Sequence, residues 1–352
     1  MSELPDGCWQ GHGHWIIEQK EEWMKDLIRK LVESYGPSGR EEQVRDVIRA
    51  EVEPLVDEVR VDAMGSLIAH MEGDGGGQRV LLDAHMDEIG VMVTYIDDEG
   101  FARFTSIGGV SSLTCIGSRV MFEDGRMGVI GVDEKRDDTD KIPKLDQLFI
   151  DVGATSKDDC PVQVGDPAVF VRPFLAQGTR LVSKAMDDRI GCAVLVELVR
   201  RLEHTPHEVY VVFAVQEEVG LRGAQTSAYG IDPDVAVAVD VTTTGDTPES
   251  KPMAVKLGQG PAVKVKDSGM IAHPMVRRLL VERAEEAGIP HQLEVLERGT
   301  TDAAAVQLVR AGVPAGCLSI PSRYVHSPSE MVDERDVENG VRLLLEVLQK
   351  PF

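Results

Sequence analysis

The spacing of apolar residues divides the chain into three textures. Residues 20–35 and 40–52 carry apolar positions at helical period, separated by Gly36-Pro37-Ser38-Gly39, so two amphipathic helices with a break between them are predicted. Residues 78–84 (QRVLLDA) follow a glycine-rich turn at 73–77 and read as a buried strand. From about 89 to 175 the pattern changes to short β-branched runs punctuated by glycine, among them VMVTYI, SRVMFED, MGVIGV and LFIDV. Helical periodicity is nearly absent there, and a small β-barrel or sandwich is expected. After residue 180 helix and strand alternate again. Helices are expected over 188–203, 274–287, 301–311 and 333–348, and strands over 208–215, 235–241 and 313–320.

Strands alternating with helices imply an α/β fold with a mixed, mostly parallel sheet flanked by helices. The simplest division gives an N-terminal extension over 1–19 and a discontinuous α/β domain over 20–88 and 177–352. A small β domain over 89–176 is then inserted between its halves. The GHGH run at 11–14 falls in the extension and reads as a tail with adventitious metal affinity at most.

Composition narrows the partners. The chain has 352 residues, 42% hydrophobic and 28% charged, enough to bury a substantial core. Against 37 Lys and Arg stand 60 Asp and Glu, a net charge of −23 that disfavours nucleic acid and anionic membrane surfaces. Five cysteines (Cys8, Cys115, Cys160, Cys192, Cys317) show no CxxC spacing and fit a reducing compartment, with Cys192 and Cys317 as small core residues. No secretory start and no apolar run of membrane-spanning length is present, so a cytoplasmic location is expected.

Chemistry concentrates at strand ends. LLDAHMDEIG puts His85 and Asp87 just past one strand, and VVFAVQEEVG puts Glu217 and Glu218 past another. VAVAVDVTTTG ends a third strand on Asp240, and CLSIPSRYVHS delivers His326 after a fourth. Ligands bind at the C-terminal edge of open α/β sheets, so these side chains are expected to converge. KAMDDRIG adds Asp187 and Asp188 at a helix start, where Asp also serves simply as an N-cap. Two imidazoles and three carboxylates suit two adjacent divalent ions with one carboxylate bridging. Nitrogen and oxygen donors without thiolate favour Zn²⁺, Co²⁺ or Mn²⁺. Asp87, two residues past His85, can accept the second imidazole N–H and fix its tautomer.

In order along the chain, AHMDEIG (84–90), KAMDDRIGC (184–192), VQEEVGLRGA (215–224), DVTTTGDTP (240–248), LGQGPAVKVKDSGMIAHP (257–274), GTTDA (299–303) and IPSRYVHSPSE (320–330) form a specific set. In these motifs the sequence resembles the M42 metallopeptidases, the tetrahedral aminopeptidases, over nearly all of the chain after residue 20. The resemblance implies a di-zinc exopeptidase-like fold in which His85 and Asp240 hold one metal and Glu218 and His326 the other. Asp187 would bridge the ions, Glu217 would be the general base and Asp87 would orient His85. A metal-bridging water, deprotonated by Glu217, would attack the scissile carbonyl, and the second ion would receive the free α-amine. The inserted β domain would serve dimerisation, with six dimers building a hollow tetrahedral dodecamer that admits short peptides. A cis Asp187–Asp188 peptide is implied as well.

Three other functions compete with this reading, one of them an aminoacylase or carboxypeptidase on a related di-metal fold, which only the family motifs exclude. An endoglucanase-type glycosidase needs two carboxyl groups flanking a glycosidic bond and no metal pair, which leaves both histidines without a task. A metal-bound but inactive scaffold would have no use for Glu217. Arg298, Arg323, Lys264 and Lys266 lie near motif residues, where one of them could bind an acidic substrate side chain.

Overall fold

The computed structural model describes residues 23–135 and 141–352. The predicted extension, its GHGH run, Cys8 and the first residues of the predicted helix 20–35 lie outside the described residues. Two helices open the described chain, α1 over 23–33 and α2 (Glu42–Val52), followed by the antiparallel pair β1 (Glu58–Val61) and β2 (Leu67–Met71). Next comes β3 (Arg79–His85), whose run of buried residues is the signature of a strand covered on both faces.

Strands β4 (Gly90–Ile96), β5 (Ala102–Ile107), β6 (Arg119–Phe122), β7 (Met127–Val132), β8 (Leu148–Asp151) and β9 (Pro167–Phe170) close a barrel in the order β4-β5-β8-β7-β6-β9. The short helix α3 (Ser112–Cys115) lies between β5 and β6. A separate core of Val91, Phe104, Val120, Ile130, Ile150 and Phe170 fills the barrel. Of the two β architectures open from the sequence, the chain adopts the closed one.

The chain then returns to the large sheet through β10 (Leu175–Gln177), β11 (Arg180–Ser183), α4 (Met186–Arg201), β12 (Glu208–Ala214), α5 (Arg222–Ile231) and β13 (Val235–Thr242). β14 (Ala262–Lys266), α6 (Pro274–Glu286), β15 (Gln292–Val295), α7 (Ala303–Val306), β16 (Ala315–Arg323), β17 (Glu330–Asp333) and α8 (Glu334–Leu348) complete it. The strand order is β1-β2-β12-β3-β13-β16-β17-β11-β10, with β14 and β15 added beside β16. The four central strands, β12, β3, β13 and β16, are mutually parallel.

Side-chain alternation assigns the two faces of this sheet different partners. In β13 the valines at 235, 237, 239 and 241 join the large core with α1, α2, α4, α6 and α8. Ala236 and Ala238 face a smaller core with α5 and α7, and in β12 Phe213 points to the first core while Val212 and Ala214 point to the second. Small residues on the second face let α5 approach closely. A Cβ on Gly223, in its first turn, would lie 2.5 Å from the backbone of Val215. Leu81 lies in the second core, so Asp83 and His85 share that face by alternation, as does Asp240.

Two expectations need correction. Residues 301–311 do not form one helix: α7 stops at Val306, Arg310 adopts φ 50°, and the Val313 N–H bonds back to the Gln307 carbonyl, closing the turn. The sheet is also wider than the sequence pattern suggested. The pairs β1–β2, β10–β11 and β14–β15 were not predicted, because strands of three to five residues give too little alternation to read.

The loop between β13 and β14 is pinned to the sheet by one carboxylate. Asp246 receives Arg323 Nε at 3.0 Å and its terminal nitrogen at 2.7 Å, and the Leu257 N–H at 3.1 Å. This fork ties residues 243–257 to the end of β16. The Arg323 guanidinium, with Thr244 and the Leu257 amide, holds the Asp246 carboxyl well below its usual 3.8. A folded-state pKa lowered in this way stabilises the protein above the unfolded value and is lost as pH falls through the folded one. Thermal unfolding should therefore separate Asp246→Asn from the parent chain at neutral pH, with the gap narrowing below about pH 4. A gap independent of pH would show that the charge of Asp246 is immaterial. In the core, Phe213→Ala should lower stability by about 3–5 kcal/mol in denaturant titration.

Candidate functional site

Each of the predicted site residues is delivered by the C-terminal edge of the sheet or the turns beside it. His85 is the last residue of β3 and is paired with Ala214, the last residue of β12. From there the chain turns at Gln216 (φ 59°) and presents Glu217 and Glu218. Asp240 lies near the end of β13, paired with Ser319 of β16, while His326 follows β16 in a turn where both Tyr324 and His326 have left-handed backbones. The seven residues predicted from strand ends and motifs are thus brought into one neighbourhood.

Asp187 occupies its middle. Its Oδ1 is 3.0 Å from His85 Nε2, and its Oδ2 is 3.2 Å from His326 Nε2. Glu218 Oε1 is 3.4 Å from the same His326 nitrogen, and Glu217 Oε2 is 3.9 Å from His85 Nε2, beyond hydrogen-bond distance. The neighbouring Asp188, joined to Asp187 by a cis peptide, accepts the Gly191 N–H at 3.0 Å. Capping the helix therefore falls to Asp188, which leaves both oxygens of Asp187 to the histidines.

Asp87 is fully buried and gathers more partners than the sequence suggested. Its carboxylate accepts the amide N–H groups of Glu217 at 3.0 Å and Glu218 at 3.2 Å, and the Ser38 hydroxyl at 2.6 Å. His85 Nδ1 lies 3.1 Å from the Asp87 carbonyl oxygen and 3.5 Å from its carboxylate. The carbonyl is thus the nearer acceptor for the imidazole N–H, and the carboxylate chiefly holds the Glu217–Glu218 turn. Ser38 belongs to the Gly-Pro-Ser-Gly break, where nothing in the local pattern signals a partner 49 residues away.

Burial and mutual repulsion govern the electrostatics. Desolvation pushes the Glu217 and Asp240 carboxyls well above their usual range, with Asp302 and Asp187 respectively adding to it, and it raises Glu218 as well. Burial opposes charge on the imidazoles too, yet contact with Asp187 and Asp87 holds His85 well above its usual value, and Asp187 and Glu218 push His326 up to about 12. A second buried pair was missed: Asp83 and Asp302 lie in side-chain contact, and burial pushes Asp83 to about 7. Among the described residues no protein donor reaches their four oxygens, and burial raises both carboxyls above their usual range. Asp302 stands in the GTTDA motif and Asp83 two residues before His85, positions that the strand-end rule does not single out.

The donor set suits divalent cations. Ligand atoms within 4.8 Å of one another come from His85, Asp188 and Asp240, from Asp187, Glu218 and His326, and from His85, Glu217 and Glu218. Glu218 Oε1 and Asp188 Oδ2 are buried without a hydrogen-bond partner. Imidazole and carboxylate donors without thiolate are the set used by catalytic zinc and its neighbours. Asp188 is the one member of these groups that the sequence reading left outside.

A cavity of about 1050 Å³ opens over this cluster, walled by Thr243, Lys251, Met253, Leu296, Arg298 and Val325, among others. Of the four basic residues singled out near motifs, Arg298 alone lines it. Lys264 is buried against Glu294 at 2.6 Å, Lys266 bonds the Asp267 carbonyl, and Arg323 is held by Asp246. From the barrel side, Gly109 packs on the His326 imidazole so closely that a Cβ there would collide with Nδ1, and Gly108 meets Glu218.

The chain is similar to known proteins over most of its length. The family described as M42 glutamyl aminopeptidase matches residues 65–343. A lysyl aminopeptidase of Pyrococcus furiosus is 37% identical over 92% of this chain and 96% of its own length. The solved structure of aminopeptidase APDkam598 from the archaeon Desulfurococcus kamchatkensis superposes with a TM-score of 0.90 at 44% identity, covering 94% of this chain and 95% of that one. The Pyrococcus horikoshii TET1 peptidase, which can assemble into a tetrahedron or a large octahedral shell, gives 0.83 at 34% identity over 93% and 99%. With a family match over residues 65–343 and a fold shared over 94% of its length with the Desulfurococcus kamchatkensis aminopeptidase, the chain belongs to the M42 aminopeptidase family of peptide hydrolases.

Proposed function

We propose that the chain is a dinuclear metal-dependent aminopeptidase that removes N-terminal residues from short peptides, with Glu217 as general base. The observation that carries this reading is Asp187, whose two oxygens each face a different imidazole at 3.0 and 3.2 Å. One carboxylate so placed can bridge two ions. His85 and Asp240 would hold one cation, Glu218 and His326 the other, and Asp187 both. Zn²⁺ suits these donors best, with Co²⁺ or Mn²⁺ as substitutes. Such cations supply Lewis acidity, acidifying a water molecule and polarising a peptide carbonyl.

The chain's own residues do the rest. Glu217 makes no hydrogen bond to His85, which lies 3.9 Å away, while its backbone is fixed through Asp87. A carboxylate held but not engaged can take the proton of the attacking water and return it to the leaving amine. Its burial raises its proton affinity, the direction that such a shuttle requires. Asp87 acts at one remove, orienting His85 through its own carbonyl and carboxylate and holding the turn that carries the base. The carboxylates that a glycosidase would need as acid and nucleophile instead face imidazoles, so nothing in the geometry favours that alternative.

The barrel over 89–176 is the proposed dimerisation domain. A tetrahedral dodecamer is the proposed assembly, a reading supported by the TET1 peptidase's own tetrahedral and dodecameric forms. A cytoplasmic pool of short peptides is the proposed substrate source. Glu217→Gln should lower kcat for aminoacyl-p-nitroanilides by roughly 10²–10⁴-fold while bound metal stays at its wild-type level. Loss of metal on that substitution would make Glu217 a ligand. His326→Ala should reduce metal occupancy, measured by elemental analysis, and full retention would remove it from the site. Chelation should abolish anilide cleavage, with carboxymethylcellulose left intact throughout. Cellulose hydrolysis that survives chelation would overturn the peptidase reading.

A further inference from the structure

We propose that Glu330 is a positioning residue that sets the separation of Asp187 and His326, and with it the geometry of the metal pair. This rests on the two-metal reading of the site. Glu330 is 2% exposed. Its Oε2 accepts the backbone N–H of Asp187 at 2.9 Å, and its Oε1 accepts the backbone N–H of His326 at 2.8 Å. One carboxylate therefore clamps the main chain of the central carboxylate and of one imidazole at the same time, from behind the site.

Both amides need such an acceptor. Asp187 lies in the first turn of α4, where no carbonyl four residues back within the helix exists to accept its N–H, and its backbone (φ −78°, ψ 104°) is itself non-helical. His326 has φ 61°, a left-handed conformation that costs a residue with a Cβ, and Tyr324 nearby has φ 62°. A turn with two such residues holds its shape only when its surroundings determine it. Glu330 is itself placed by strand register, since β17 pairs antiparallel with β11 and puts Glu330 opposite Ser183, four residues before Asp187. The chain thus builds a rigid ladder rung and hangs both ligand backbones from its end.

Geometry also separates Glu330 from the ligands themselves. It appears in none of the residue groups whose donor atoms converge within 4.8 Å, and both of its oxygens are engaged by main-chain N–H groups. Nor does it line the cavity that Glu217 faces. Its influence on the reaction therefore passes through the spacing of Asp187 and His326. Both of its oxygens are acceptors, which a carboxylate can supply and a side-chain amide cannot. Glutamine keeps one acceptor but turns an NH₂ group toward the other N–H, so it breaks the clamp while preserving volume.

The test uses cobalt as a spectroscopic probe on the full-length assembly stripped of metal. Wild-type protein should take up two Co²⁺ per chain, with visible d–d bands. Glu330→Gln should bind the second ion roughly 10–100-fold more weakly, the range for residues that orient ligands. It should also alter the d–d bands at saturating cobalt and lower kcat with KM nearly unchanged. Glu330→Asp, which keeps two acceptor oxygens but draws them back, should give an intermediate spectrum and partial recovery of kcat. If Glu330→Gln fails to fold, the aspartate variant carries the same comparison. Two ions bound by a folded variant with wild-type affinity and spectrum would overturn this proposal alone. A wild-type chain that takes up no cobalt would overturn the two-metal reading, and this proposal with it.

Discussion

Carboxylates crowded into a buried pocket are the constraint on which this structure turns. Asp187, Glu217, Glu218 and Asp240 lie together where burial favours protonation of all four; only at Asp187 do the two histidines outweigh it, and from within the cluster only those histidines answer the carboxylates' charge. Left to relax, such groups would move apart or take up protons. They stay because each is fixed by an element that cannot move alone. β3, β12, β13 and β16 are locked in parallel register, and the intervening turns are tied by side chains rather than left to solvent. Asp87 holds the Glu217–Glu218 turn to the end of β3 and, through Ser38, to the break after α1.

Two other buried acidic residues are paired with cations. Glu88 meets Lys184 at 2.7 Å, with Arg189 close by, and Lys264 meets Glu294. Arg189 also donates to the carbonyls of Leu31 and Gly36, so a single guanidinium staples the end of α1 beneath the site. These pairs are weak evidence for stability, because the cost of desolvating both partners offsets much of their attraction. Their contribution is placement. They bring the first helices, the end of β3 and the start of α4 into one rigid body on which an unbalanced cluster can be held.

Much of this was legible in the sequence because the signals were local. Continuous apolar runs ending in His85, Glu217 and Asp240 identify buried strands and the side chains at their exits, and the edge rule predicts where they meet. Asp187 was harder: a helix start explains an aspartate without any function, and only Asp188's bond to the Gly191 amide shows which of the two is the cap. Asp83 and Ser38 were not legible, since one sits inside a strand and the other in a loop, and their partners lie far along the chain. The same applies to Arg323, which reads as a free cation near a motif until the loop bearing Asp246 folds back on it. Long-range pairing of polar groups carries no periodicity, and periodicity is what a single sequence offers.

The barrel enters the site through its smallest residues. After β5 the chain passes Gly108 and Gly109, and a side chain at Gly109 would occupy the space of the His326 ring. Gly108 adopts φ 71°, a conformation that glycine takes without strain, and its backbone abuts Glu218. Barrel and sheet therefore share a boundary at the very side chains proposed to hold one cation. A displacement of the barrel toward the sheet at this boundary would press directly on His326 and Glu218. Elsewhere the barrel is tied to the first helices by polar contacts, such as the Tyr35 hydroxyl donating to the Pro167 carbonyl at 3.0 Å, but at the site small size itself is the requirement, because any side chain at Gly109 would displace the His326 ring.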